Sequence, residues 1–509
     1  MPRFIGPVGV AAAITVAAAP LWVTDVVPVI DYPAHFTRMV LLARDTLDPV
    51  TASIYAIDPA IRPNLAMDLV VPAFASLLGV TLATKLFIAT ALGMWIVGPV
   101  AIHRAVWGRF GAESLVAFFF ALNAPFFAGF YNFHFGIGLT FLATAAWLVP
   151  SRLRWWVVAP VAVAAVAALI SHLMAFAVLG LVLFGIEVGR PWRPDEPGLG
   201  DRVARLAATF APGLLVHTVF AASTGTGGGP LTFNLLANLA APFLYASRAG
   251  GMIDPLPAIG VGVVALAAWR SGTLRIAPIL RPVLGLAAAA MLVSPSEAFG
   301  GAMIHWRMAP ILLALFVAAW RIDLPPRSGR RVAAAFLTLA LATTAIQAAR
   351  WREDGRTIDA ARAAVAAVTP EGGRVLTALT GGDALAFTHV GDLAIIDRHA
   401  FSPSFFTDPA QSPIRLRPAF AAAGAAGSAA GGALFAAELA DLADPAATSE
   451  AARRRRHLAG WPCRFDTLVV LGRGAAEASP TGGVETTARG PAHAVHRIVR
   501  PASGCPAGG

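Results

Sequence analysis

Residues 81–101 read Thr-Leu-Ala-Thr-Lys85-Leu-Phe-Ile-Ala-Thr-Ala-Leu-Gly-Met-Trp-Ile-Val-Gly-Pro-Val-Ala, and Ile102-His103-Arg104 follow. A single charge in a run of about twenty residues is the length and polarity of a helix that crosses a bilayer. Further apolar runs recur at roughly 5–23, 113–131, 134–149, 155–170, 173–189, 206–222, 257–270, 276–294, 304–320 and 332–348. Lipid offers no partner for backbone N–H and C=O groups, so each crossing has to be helical. The pattern predicts an all-α polytopic membrane protein with about 11 transmembrane helices. Composition agrees: of 509 residues, 57% are hydrophobic and 13% charged, against roughly 25% charged in soluble domains. An ordinary soluble enzyme is excluded.

Lys85 is the only lysine, so the net charge of +10 is almost wholly arginine. The arginines lie in short clusters between apolar runs, which argues against nucleic acid as a partner and for a topological role. Arg3 precedes the first run; Arg104 and Arg109 follow the second, and Arg152 and Arg154 the fourth. Arg190, Arg193, Arg202 and Arg205 follow the sixth, Arg270 and Arg275 the eighth, and Arg321, Arg327, Arg330 and Arg331 the tenth. Every second connection is therefore basic and faces the cytoplasm. The connections 24–80, 131–134, 171–172, 223–256 and 295–303 face outward, and an odd number of crossings puts residues 349–509 outside as well. The Arg, Ala, Gly and Pro bias is that of a GC-rich bacterial coding sequence. The expected location is the bacterial inner membrane, multi-pass, with the N-terminus cytoplasmic and the C-terminal part periplasmic. The N-terminal run before Ala17-Ala18-Ala19 also fits a cleaved leader. Residues 65–78 are apolar but only about fourteen long, and are taken as interfacial or re-entrant. The glycine run 225–229 reads as an external loop.

Two domains are expected: a transmembrane domain, 1–348, with its first periplasmic loop at 24–80, and a small periplasmic α/β domain, 349–509. In the latter, 352–368 reads as a helix and 374–379, 393–396 and 467–471 as strands. Gly381-Gly382-Asp383 reads as a turn, and 419–447 as an Ala/Gly-rich helix and loop. Cys463 and Cys505 fit a disulfide if this part is periplasmic, and fit two unrelated thiols equally well.

The first external loop carries the strongest chemical signal, Asp31-Tyr-Pro-Ala-His35-Phe-Thr-Arg38. Pro33 suits a helix start and an acid just ahead suits its positive end. Phe36, Met39, Val40, Ala43 and Leu47 recur at helical spacing, which predicts an amphipathic helix over 33–47 lying along the interface. His35 and Arg38, at i and i+3, share its other face. By itself this is equally a helix start with a capping acid and a solvated face. Other polar residues mark the same outer ends: Tyr131, Asn132, His134, His172, Asp254, Glu297, His305 and Arg307. An ionisable group near the bilayer centre costs roughly 2.5–3.5 kcal/mol, so such groups usually face a cavity. The plainer readings are helix caps for His134 and His172, a loop acid for Glu297 and a turn residue for Asp254.

An acid near the end of the first helix, a short amphipathic helix, many further spans and a soluble outer C-terminal domain resemble the GT-C superfamily of integral-membrane glycosyltransferases. The Asp31-x-Pro-x-His35 cluster, with Arg38 and Arg62-Pro-Asn64-Leu, resembles the loop of bacterial mannosyl- and arabinosyltransferases. Many members carry two adjacent acids there, whereas Tyr32 follows Asp31 here. The resemblance implies transfer of a sugar from a polyprenyl-phosphate donor to a glycan or lipid acceptor, in contact with membrane lipid. Asp31 would be the catalytic base. His35, Arg38 and Arg307 would hold the departing phosphate. His134, His172, Glu297 and His305 complete the expected substrate-binding set. There is no HExxH, Walker loop or paired CxxC, so no metal ligand is assigned; a divalent cation as cofactor stays open. Two other classes remain: a transporter or flippase of lipid-linked or small substrates, and a non-catalytic subunit presenting its outer domain to a partner.

Overall fold

A computed structural model describes residues 6–58, 63–149, 155–192, 197–224, 231–249, 252–298, 301–323, 325–408, 412–421, 433–478, 483–500 and 505. Arg62, Arg152, Arg154, Arg193 and the glycine run 225–229 lie outside the described residues. The chain divides into two compact units. One comprises Met1–Val23, Ile61–Met67 and Lys85–Ala349; the other comprises Thr24–Ala60, Asp68–Thr84 and Arg350–Gly509. Residues 24–60 thus group with the C-terminal part, not with the helices that flank them in sequence.

The first unit is helical. Its helices include Pro7–Ala18, Val80–Trp107, Tyr131–Leu148, Trp155–Ser171, Leu173–Gly189, Leu199–Thr224, Leu256–Arg270 and Met308–Ala319. Among the described residues three helices are long and apolar enough to cross a membrane: Val80–Trp107, Leu199–Phe220 and Arg327–Val368. Many of the remaining apolar helices run to 10–17 residues. Small residues let these helices approach closely. A Cβ on Gly98 would lie 2.3 Å from Cβ of Phe141, and one on Gly189 would lie 2.4 Å from the Ile279 carbonyl oxygen. The run 113–131 is not one helix. It forms Ala112–Ala117, Phe118–Ala121 and Ala124–Ala128, because Asn123 accepts from the Phe126 N–H and caps a new start. Pro125, which has no N–H to continue the previous ladder, follows it.

At its arginine-rich end, Leu173–Gly189 is closed by Arg202, whose guanidinium donates to the carbonyls of Glu187, Arg190, Pro191 and Pro197. Glu187 in turn accepts from the Trp147 indole at 2.8 Å and from Arg190 at 3.1 Å. The last carbonyls of a helix lack internal partners, and a buried guanidinium supplies them.

The second unit holds a four-stranded sheet in the order Val484–Gly490, His493–Ile498, Thr467–Leu471, Val375–Leu379. The last two run parallel and the other neighbours antiparallel. The two parallel strands, Thr467–Leu471 and Val375–Leu379, are buried throughout, as runs of Val and Leu should be. Residues 393–396, expected as a strand, are helical instead: Val390–Leu393 is a 3-10 turn that passes into Ala394–Arg398. The span expected at 332–348 and the separate helix expected at 352–368 are a single helix, Pro326–Val368, of 43 residues.

The first loop is built into this second unit. Tyr55–Ile57 pairs antiparallel with Ile414–Leu416. Ala34, Leu41, Ile54 and Tyr55 share one core with Leu376, Phe401, Trp461 and Leu468. The helix that starts the loop is Tyr32–Leu42, and every residue from Tyr32 to Met39 is buried. It is therefore a core helix and not one lying on an interface, because its polar side chains find partners within the unit.

Cys463 and Cys505 form a disulfide across 42 residues of sequence. Closing a loop of that size removes denatured-state entropy worth roughly 4 kcal/mol. Cys463→Ser should lower the stability of the oxidised protein by about that amount, and reductant should do the same to the unmodified chain. Thermal unfolding in detergent, with and without reductant, checks this; identical melting of the two proteins would refute it.

Candidate functional site

Asp31 occupies the position just before the helix Tyr32–Leu42, where an acid is expected to cap. It makes no side-chain cap hydrogen bond. Its Oδ1 instead lies 3.6 Å from Nε2 of His389. Nδ1 of His389 lies 2.9 Å from Oδ2 of Asp392. The other oxygen of Asp392, Oδ1, accepts from the hydroxyls of Ser402 at 2.6 Å and Ser404 at 2.7 Å. The Thr37 hydroxyl donates to the Asp392 carbonyl, 3.2 Å away. Carboxylate, imidazole and carboxylate thus stand in line. Asp31 is 16% exposed, against 3% for His389 and 0% for Asp392. Asp31 is the member that meets solvent.

Local folding explains the alignment. His389 and Asp392 are three apart across the turn Val390–Leu393, which puts both on one side. Tyr55 fixes the following segment, its hydroxyl accepting from the Ser402 N–H at 3.2 Å. Burial pulls the His389 imidazole down, but the hydrogen bond and charge of Asp392, followed by the charge of Asp31, outweigh it. Its pKa ends above the ordinary histidine value. As an imidazolium it donates from both nitrogens, one toward each carboxylate. The His35 ring lies 5.7 Å from the Phe406 ring, which lies 4.7 Å from His389.

Arg38 does not stand on an open polar face. It is buried with Asp68, Nε to Oδ1 2.7 Å, side chains 2% and 3% exposed. The contact is an ion pair lying out of line for a hydrogen bond. Its charge is neutralised inside the unit.

In the first unit, His172 and Arg307 come together. His172 precedes Leu173–Gly189 and its Nδ1 accepts from the Met174 N–H at 3.1 Å. Burial, and then the Arg307 charge, hold His172 well below the ordinary histidine value, so it is neutral. Nε2 lies 3.0 Å from an Arg307 nitrogen. The two side chains are within hydrogen-bond distance of each other. The Arg307 guanidinium is also set against the rings of Phe130, 4.4 Å, and Phe133, 5.4 Å.

The other expected residues go elsewhere. His134 is buried and stacked on Trp95, ring centroids 4.3 Å apart. His305 meets Tyr245 edge-on at 5.5 Å. Glu297 is exposed on a two-residue strand. Asp254 accepts from the Leu256 N–H and is a turn residue. Asn132 binds the Met67 N–H and the Asn64 carbonyl. Asp31, His35 and Arg38 belong to the second unit, whereas residues 297–307 belong to the first. His389, Asp392 and Asp68 were missed from sequence. The i, i+3 pair His389/Asp392 was the available signal, and it lies between the turn read at 381–383 and the strand read at 393–396. Among the described residues no group of three His, Cys, Asp or Glu side chains is placed to hold a metal ion.

No protein-family model matches the chain, and no curated protein matches it. Among solved structures it is similar to crystal structures of ArnT from Cupriavidus metallidurans, one in the apo state and one bound to undecaprenyl phosphate. The identities are 16% and 17% and the TM-scores 0.46 and 0.47, over 96% of this chain and 97% of those.

Proposed function

We propose that this chain is a membrane glycosyltransferase of the GT-C type. It moves a sugar from a polyprenyl-phosphate donor to a glycan or lipid acceptor at the periplasmic face of the bacterial inner membrane. The observation that carries the reading is the state of Asp31, which makes no cap hydrogen bond to the helix it precedes and faces the buried imidazole of His389. A capping acid has no need of such a partner; a carboxylate that must be held in one orientation does.

The acceptor hydroxyl oxygen attacks the anomeric carbon of the donor and its proton passes to Asp31. The bond from the anomeric carbon to the phosphate oxygen breaks, and the electron pair leaves with the polyprenyl phosphate. Asp31 then returns the proton to water. A departing phosphate needs donors that do not have to reorganise. Arg38, neutralised by Asp68, is not such a donor. The arginine distribution supports a cytoplasmic N-terminus. The Cys463–Cys505 bond supports an oxidising compartment for the C-terminal unit.

Full-length protein in lipid nanodiscs, given labelled polyprenyl-phosphate mannose and arabinose, should release the sugar to water or transfer it to an added glycan. Retention of both labels on their lipids under all acceptor conditions would overturn the reading.

A further inference from the structure

We propose that His389 is the positioning residue for Asp31: clamped from behind by Asp392, it orients the carboxylate that takes the acceptor proton. The inference rests on the glycosyltransferase reading and assigns to the C-terminal residues a part in the chemistry of the first loop.

The geometry makes the roles unequal. Each oxygen of Asp392 is engaged, one by His389 Nδ1 and the other by the Ser402 and Ser404 hydroxyls. Full engagement and complete burial leave Asp392 unfit as a base and fit it to fix one ring orientation. With Nδ1 committed, Nε2 faces Asp31 Oδ1 at 3.6 Å, and a backbone hydrogen bond to Ser404 helps to hold the ring. That is ion-pair range and longer than a formed hydrogen bond; catalytic contacts commonly tighten when substrate binds. The charged groups that face His389 are Asp392 on its own turn and Asp31 from the first loop. The Phe406 ring lies 4.7 Å from the imidazole and adds no charge.

Protonation then matters in one direction. Below the ordinary histidine value the imidazolium is fully present, and its attraction for Asp31 with it. As pH rises through the raised value the proton leaves and a lone pair faces the carboxylate. The ion pair is lost, so activity should fall on the alkaline side. The same proton contributes folding stability that disappears over the same interval.

The test uses full-length protein in nanodiscs and labelled polyprenyl-phosphate mannose and arabinose as donors. His389→Gln should lower kcat by about 10²-fold while KM for the donor stays within about threefold. Asp392→Asn should move the alkaline limb of the kcat profile to lower pH by at least about one unit. Ser404→Ala, which loosens Asp392 and keeps the imidazole, should lower kcat severalfold and covers the case in which His389→Gln does not fold. A purely structural tie would change melting temperature and active fraction and leave the pH profile per active molecule in place. If Asp31→Asn is inactive while His389→Gln and Ser404→Ala keep the unmodified kcat and alkaline limb, the positioning role is overturned and the glycosyltransferase reading stands. If the unmodified protein transfers no sugar, the reading itself fails.

Discussion

Asp31→Asn should reduce sugar transfer by about 10²–10⁴-fold, the range a positioned general base contributes. The substitution is isosteric. It removes no cap, because the Asp31 side chain makes no cap hydrogen bond. What it removes is the proton acceptor, and with it the negative charge that His389 faces at 3.6 Å. Loss of that charge also lowers the affinity of His389 for its proton, since Asp31 is one of the groups that raise it. Donor KM should stay nearly unchanged, because an interaction realised only in the transition state affects kcat and kcat/KM alike. Activity within tenfold of the unmodified enzyme would remove Asp31 from the chemistry.

Asp68→Ala should destabilise the protein by about 3–5 kcal/mol, because it strands the Arg38 guanidinium in the interior with no opposite charge. Arg38→Ala should cost a similar amount by stranding the carboxylate. The double change Arg38→Met with Asp68→Leu should recover most of the loss or exceed the original stability, as buried ion pairs replaced by apolar groups often do. Unfolding measured across this cycle separates burial of a charge from loss of packing. An Asp68→Ala protein within about 1 kcal/mol of the original would mean that water reaches the pair.

Both predictions involve residues whose partners are remote in sequence, and that remoteness decided what could be read beforehand. Asp31 and its loop stand out locally, as an acid ahead of a proline-started helix. Asp68 is hidden because it lies in the apolar stretch 65–78, where a single acid carries no periodic signal. His389 is hidden for another reason: its turn is followed by Leu-Ala-Ile-Ile, a run too short for period to separate strand from helix. The strand Val484–Gly490 was legible in principle, since its residues alternate half-buried and exposed, but polar Thr and Arg on one face weaken that pattern. Asn123 and Pro125 show the opposite case. They carry a clear helix-start signature, which the hydropathy of Phe118–Phe120 and Phe126–Phe127 overrode. The helix ends beside Arg190 and at Arg270 were readable because charge marks them directly, whereas the helix expected to end at 101 runs on past Arg104 to Trp107.

Incorporating the first loop into the C-terminal unit sets a timetable for biosynthesis. The Tyr55 hydroxyl contacts the Ala400 carbonyl from 345 residues away along the chain. At roughly 5–20 residues per second, the segment bearing Asp31 waits on the order of 20–70 s before its packing partners exist. During that interval Ala34, Leu41, Ile54 and Tyr55 have nothing to cover them. A polypeptide stopped short of the tail therefore loses more than an appendage: it is left with a reactive-site segment that has no scaffold, and so with a natural target for holding chaperones and surveillance proteases.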